Sequence, residues 1–333
     1  MASYYQLEKT AWDKALTSLL GSFRVFAPIL KGKTLDYELI KEEHIPQIVY
    51  NTPKPVVPLK TFFLPVKENV VVEPEAEKPV IILGVPACDL SAIDLLDKFY
   101  MAEEYHDHYY EKRRKNSVLI GSDCHSTNKH CHCTSYGLNP YPENNQDISI
   151  SMLNGHAIIS AFSPKGEALM VRILDIESDV PTFDELPVGL SEIRLNVKRE
   201  LEKANRLLPN YQETTDAVIN SDRAIWEKYA KACVSCGACA TICPTCTCFL
   251  LIDRPGFEKV RQLDACQYPG FERTAGGEDP LKELEYRFKN RYMCKYLYRP
   301  EKFDAIACTG CGRCIEACIA KINKNELLVE LTK

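Results

Sequence analysis

The chain has 333 residues, 45% of them hydrophobic, a formal net charge of −5 and a pI near 5.9. That length and apolar content support one large or two ordinary domains with a real core. The acidic balance argues against nucleic acid as the main partner and leaves docking on other proteins open. No apolar run reaches membrane-spanning length; the best stretch, Val80 to Leu96, is broken by Pro86, Asp89 and Asp94. The opening "MASYYQLEKTAWDKAL" has no basic segment followed by an apolar one, so a cytoplasmic protein is expected. Sixteen cysteines then call for metal or iron–sulfur ligation, because disulfides are disfavoured in that compartment.

In chain order, the first elements read as α/β. "PVIILGVPACD" predicts a buried strand from Val80 to Val85 ending at Pro86, then a helix capped by Asp89 with Leu90, Ile93, Leu96 and Phe99 at helical spacing. "EKRRKN", Glu111 to Asn116, reads as an exposed helix end. "SVLIGSDC" predicts a second strand from Ser117 to Ile120. "DISISMLNGHAIISAF" is a hairpin signal, with Ile148, Ile150 and Met152 alternating and a turn at Asn154-Gly155. Cys88 and Cys124 each fall just past a strand's C-terminal end, the edge where open α/β sheets build sites. "LSEIRLNVKRELEKANRLL" predicts a solvated connecting helix.

A domain boundary is placed near residue 225, dividing an α/β domain, 1–225, from a cysteine-rich one, 226–333. Four cysteines lie before it and twelve lie from Cys233 to Cys318. The second domain opens on the helix "SDRAIWEKYAKA", which Asp222 can cap. It contains one internal repeat: Cys233-x-x-Cys236-x-x-Cys239-x-x-x-Cys243 recurs as Cys308-x-x-Cys311-x-x-Cys314-x-x-x-Cys318. This is the bacterial ferredoxin spacing, in which the fourth cysteine of each run serves the other cluster. The expected assignment is Cys233, Cys236, Cys239 and Cys318 for one [4Fe–4S] cluster, and Cys308, Cys311, Cys314 and Cys243 for a second. The fold expected of this domain is mainly α-helical and ferredoxin-like, with a long insertion, 244–307. Gly237, Gly310 and Gly312 would let the backbone approach the cubane. Structural zinc is the rival, and it usually shows well-separated pairs rather than a four-cysteine run used twice.

Eight cysteines remain, and they fall into two more sets of four. Cys88, Cys124, Cys131 and Cys133 could enclose a third cluster. They could also join His125, His130 or His132 around zinc, or be unligated core thiols. Cys246, Cys248, Cys266 and Cys294 could hold a fourth cluster, or Cys246 and Cys248 could simply pack the loop as small apolar groups. No dinucleotide fingerprint, P-loop or nucleophile motif appears, and Gly276-Gly277 is too short to claim a nucleotide. No catalytic residue is therefore expected.

With "PACDLSAIDLLDKFY", "YYEKRRKNSVLIGSDC", "CHCTSYGLNP", "CVSCGACATICPTCTCF", "TAGGEDP" and "CTGCGRCIEAC" in hand, most of the chain resembles one family. It comprises the A subunit of anaerobic sulfite reductase and the β subunit of sulfhydrogenase-type [NiFe] hydrogenases. The resemblance implies an electron-transfer subunit. Its expected partners are a flavin subunit linked to NAD(P)H or ferredoxin and a catalytic subunit carrying siroheme or a nickel–iron site. The chain departs from the family pattern at three places. His132 stands in a motif that commonly reads Cys-Phe-Cys. Cys294 stands where a histidine is common, an exchange that favours a ligand role. Ile319 replaces the proline that usually follows Cys318. Other readings are a relay in a heterodisulfide-reductase-like or other flavin-based complex, and a protein whose metal centres are only structural.

Overall fold

The computed structural model describes residues 3–72, 78–176 and 179–333. The N-terminal half opens with β1 (Tyr4–Glu8), α1 (Lys9–Leu19), β2 (Arg24–Lys31), β3 (Thr34–Leu39) and β4 (Lys67–Asn69). It continues with β5 (Val80–Pro86), α2 (Ala87–Tyr100), α3 (His108–Lys115), β6 (Ser117–Ser122), β7 (Ile148–Leu153) and β8 (His156–Ala161). It closes with α4 (Pro164–Leu174), β9 (Thr182–Phe183), α5 (Val188–Ala204) and α6 (Tyr211–Asn220). Eight of these strands form one sheet in the order β3-β2-β5-β6-β7-β8-β1-β9. The central strands β2, β5, β6 and β7 run parallel and the outer pairs antiparallel.

Both faces of the centre are covered, which is why β5 and β6 read as near-continuous apolar runs. Ile81, Leu83, Val118 and Ile120 face a core with Trp12, Leu16 and Leu19 of α1 and Leu169 and Ile173 of α4. Ile82, Val85 and Leu119 face the other way, onto Leu90, Ile93 and Leu96 of α2 and Tyr110 of α3. The hairpin forms as expected, with Asn154 and Gly155 both at positive φ, the turn geometry that matches strand twist.

Three expectations change. Asp89 does not cap α2: the helix begins at Ala87 with Pro86 at the cap position, so Asp89 lies in the first turn, fully buried. The basic stretch of α3 turns its arginines inward, Arg113 to Glu68 and Arg114 to Asp97. The charged helix α5 is anchored rather than merely solvated, because Leu190, Val197 and Leu201 are buried and Arg194 forks onto the buried carboxylate of Asp123 at 2.7 and 3.0 Å.

The C-terminal half comprises α7 (Arg223–Ala230), α8 (Ala238–Thr241), β10 (Phe249–Arg254), β11 (Glu258–Leu263), α9 (Leu284–Met293), α10 (Arg299–Phe303), α11 (Arg313–Glu316) and α12 (Lys324–Leu331). Asp222 occupies the cap position of α7 but makes no side-chain capping bond. Within the insertion, β10 and β11 pair around a turn with Gly256 and Phe257 at positive φ, and β11 also pairs with β4. That small sheet joins the two halves, and Arg261 of β11 bonds Glu68 of β4 and Asp107. Among the described residues no helix is long and apolar enough to cross a membrane.

The tightest join is ionic. Arg313 on α11 donates to both carboxylate oxygens of Asp89, at 2.5 and 2.9 Å, and to the Pro55 carbonyl at 3.0 Å. The Leu59 amide donates to Asp89 at 3.2 Å. Both ions are out of water and hydrogen-bonded, so removing one strands the other. Arg313→Met is expected to destabilise the protein by about 3–5 kcal/mol. Thermal unfolding of the purified chain should show a clear fall in midpoint, and the double variant Asp89→Leu/Arg313→Met should recover part of it.

Candidate iron–sulfur site

The two ferredoxin-type runs fold alike. In each, a loop carrying the first two cysteines ends on a glycine in the left-handed region, Gly237 at φ 71° and Gly312 at φ 76°. One helical turn follows, α8 or α11, and delivers the last cysteine. A cavity beside the first run is lined by Cys233, Cys236, Cys239 and Cys318, and also by Cys314. A second is lined by Cys243, Cys308, Cys311 and Cys314. The fourth cysteine of each run thus lines the cavity of the other run.

The remaining cysteines gather in two further places. Cys246, Cys248, Cys266 and Cys294 line a recess of about 450 Å³ together with Arg291, Lys295 and Arg299. Cys246 follows directly from the second cavity, its amide bonded to the Cys243 carbonyl at 3.3 Å. Cys294 opens a π-helical turn, Cys294–Tyr298, a distortion common at functional sites that here resets the face on which the next side chains emerge. In the N-terminal half, Cys88 occupies the first turn of α2 and Cys124 the loop after β6. Cys124, Cys131 and Cys133 pack together against Val197 and Leu201 of α5. Cys88 is close enough to both Cys311 and Cys124 to feel their charge.

Two of the histidines near Cys131 and Cys133 have their rings engaged elsewhere. His125 Nε2 meets Ser151 Oγ at 2.8 Å. His132 is fully buried, with Nδ1 2.8 Å from the His130 carbonyl and Nε2 2.9 Å from Lys324 Nζ. Among the described residues no three His, Cys, Asp or Glu side chains converge as a site for a single metal ion.

Gly310 and Gly312 do more than bend a loop. A Cβ on Gly310 would lie 2.6 Å from the Cys133 backbone, and one on Gly312 would lie 2.5 Å from the His130 carbonyl oxygen. The His132 amide also donates to the Gly310 carbonyl at 2.8 Å. The 130–133 loop and the second run are therefore in backbone contact. These two glycines therefore also admit another segment of the chain.

Sequence reading missed the buried cations. Lys54, Lys60, Lys295, Lys324, Arg291 and Arg313 are all buried. Lys324 Nζ lies 3.5 Å from Cys308 Sγ and Lys54 Nζ lies 3.8 Å from Cys131 Sγ. Lys60 donates to the Cys246 carbonyl at 3.0 Å, and Lys295 to Thr245 Oγ1 beside Cys246 at 2.5 Å. Burial pulls the Lys295 and Lys324 ammoniums toward neutrality. That is the largest single effect at each, but it is outweighed by the neighbouring groups together, Cys243, Cys246 and Cys294 at Lys295 and Cys308, Tyr136, Cys314 and Tyr292 at Lys324, so both are held above the ordinary lysine value. Cys248 is drawn down to about 6, first by a hydrogen bond from Cys266 and then, against the opposing effect of burial, by Arg299 and Lys295. The available signal was position: each of these cations lies within a few residues of a cysteine or in "NTPKPVVPLK", whose residues 54–60 run along the C-terminal half.

Residues 232–322 match the family described as a 4Fe-4S dicluster domain. The chain is also 28% identical over 344 residues to "Sulfhydrogenase 2 subunit beta" of Pyrococcus furiosus, an alignment covering 98% of each chain. The resemblance drawn from the motifs is borne out by this likeness.

The glycine contacts give a graded test. Gly256 is also at positive φ but has open space around it, so Gly256→Ala should cost only about 1–2 kcal/mol of backbone strain. Gly310→Ala adds a backbone collision to the same strain. A larger fall in melting temperature and faster proteolysis in the 128–133 loop are expected of it alone.

Proposed function

We propose that this chain is the iron–sulfur electron-transfer subunit of a multi-subunit oxidoreductase of hydrogenase type. The observation that carries the reading is the joint placement of thiol sets and buried positive charge. A [4Fe–4S] cluster held by four thiolates is anionic, and burying it requires compensating charge. Each of the four cysteine sets has at least one buried lysine or arginine beside it, and the cysteines of the two ferredoxin-type runs fall within the matched dicluster segment. The donor chemistry and the counter-charge both fit such clusters.

On this reading Cys233, Cys236, Cys239 and Cys318 hold one cluster, and Cys243, Cys308, Cys311 and Cys314 hold the second, in a ferredoxin-like arrangement. Cys88, Cys124, Cys131 and Cys133 hold the third, and Cys246, Cys248, Cys266 and Cys294 the fourth. The second set is central. It meets the first at Cys314, the fourth through Cys243–Cys246 and the third through Cys88–Cys311 and the 130–133 loop. Bound clusters supply one-electron acceptor levels; the protein's part is to space them, exclude water and set their potentials through charge and hydrogen bonds. The relay would connect a flavin-containing, NAD(P)H- or ferredoxin-linked subunit with a catalytic subunit, the role suggested by the likeness to a sulfhydrogenase β subunit. The division at residue 225, with 244–307 as an insertion in the second domain, is part of the same proposal.

Anaerobically purified protein is expected to contain roughly sixteen irons per chain, four for each of four clusters. Cys246→Ser and Cys266→Ser should each remove about four irons and one EPR signal while sparing the ferredoxin-type pair. Stoichiometric zinc with iron near zero would falsify the reading, and unchanged iron in both variants would remove the fourth cluster.

A further inference from the structure

We infer that Lys324 raises the reduction potential of the cluster at the central set, Cys243, Cys308, Cys311 and Cys314, and that His132 is the positioning residue that aims it. This rests on the proposed function above and adds to it a specific electrostatic control.

Lys324 is the first residue of α12 and is buried, with 4% of its surface exposed. An ammonium has three N–H donors and no acceptor. Here Lys324 Nζ has three partners: His132 Nε2 at 2.9 Å, Tyr296 Oη at 3.0 Å and Cys308 Sγ at 3.5 Å. Two polar groups therefore hold the ammonium, and its third bond goes to a sulfur of the central set. Tyr296 is itself fixed, its hydroxyl 2.9 Å from that of Tyr136.

The His132 tautomer follows from its surroundings. The Lys324 ammonium can only donate, so Nε2 is the lone pair that accepts from it. Nδ1 then carries the proton and donates to the His130 carbonyl at 2.8 Å, with the Asn325 side-chain amide 3.4 Å away. The ring is neutral and packed edge-on against Tyr136 at 5.3 Å between centroids. His132 belongs to the Cys131–Cys133 segment, so a loop from the N-terminal half directs a charge onto a sulfur of the C-terminal half.

A fixed positive charge beside a buried redox centre stabilises the form carrying the extra electron. With water excluded, little screening weakens the effect. The electron in question comes from a one-electron donor and stays on the centre until passed on, so no bond is made or broken in the protein. Raising the potential at the set that meets the other three would lower the energy of an electron there relative to the same set without the ammonium. A positioning role for His132 also explains why an imidazole is buried there with both nitrogens bonded.

The test is an anaerobic redox titration of the full-length chain followed by EPR, with iron content measured for every variant. The signal of the central set is identified as the one lost in Cys308→Ser. Lys324→Met is expected to make reduction of that centre at least tenfold less favourable, 59 mV for one electron, with the other signals unmoved. His132→Phe, which cannot accept a hydrogen bond, should shift it in the same direction by less. Lys324→Arg, which keeps the charge, should restore most of the wild-type value. Full iron with an unchanged potential in Lys324→Met overturns the inference and leaves the proposed function standing. If Lys324→Met loses iron, His132→Phe decides, and a wild-type potential there overturns it. Absence of iron from the unsubstituted protein overturns the proposed function itself.

Discussion

A carboxylate and a guanidinium buried between the two halves hold the rest of the arrangement in place. Asp89 lies one residue after Cys88, and Arg313 lies between Cys311 and Cys314. Their two-pronged contact therefore brings one thiol set against another as it joins the halves. An ion pair this deep is stable only when further hydrogen bonds accompany the pair itself. The Pro55 carbonyl accepts one from Arg313 and the Leu59 amide donates one to Asp89, which in turn fixes the course of the 54–60 segment. Lys54 and Lys60, at the two ends of that segment, are thereby carried in among the cysteines.

The same logic recurs wherever charge is buried. Thiolates in a low-dielectric interior destabilise the fold unless cations accompany them. The cations lie beside the cysteines, with their remaining donors on carbonyls, hydroxyls or an imidazole. The N-terminal half is thus more than a platform. It contributes Lys54, Lys60 and His132 to the surroundings of sets whose cysteines lie far away in sequence. The β4–β11 pairing and the Arg261–Glu68–Asp107 contacts hold the insertion against it from another side.

Local patterns in the chain were enough to place β5, α2, β6 and the β7–β8 hairpin, because both faces of the sheet are buried and the turn needs two residues at positive φ. They were less informative about charged residues. Asp89 read as a cap because a carboxylate near a helix start ordinarily serves that purpose; its real partner lies 224 positions away. The arginines of α3 and the anchoring face of α5 were misread for the same reason. Polarity signals exposure only until a buried partner is available, and that partner is set by the fold.

By itself the sequence determined the two cysteine runs and their repeat, since that spacing is local. It also determined the α/β sheet, through apolar periodicity. Tertiary structure alone decided which cations are buried and beside which sulfurs, and why Gly310 and Gly312 must lack a side chain. Those features depend on groups distant in sequence meeting in a medium that excludes water. There the energy of a charge depends on its neighbours in space, and no spacing along the chain records them.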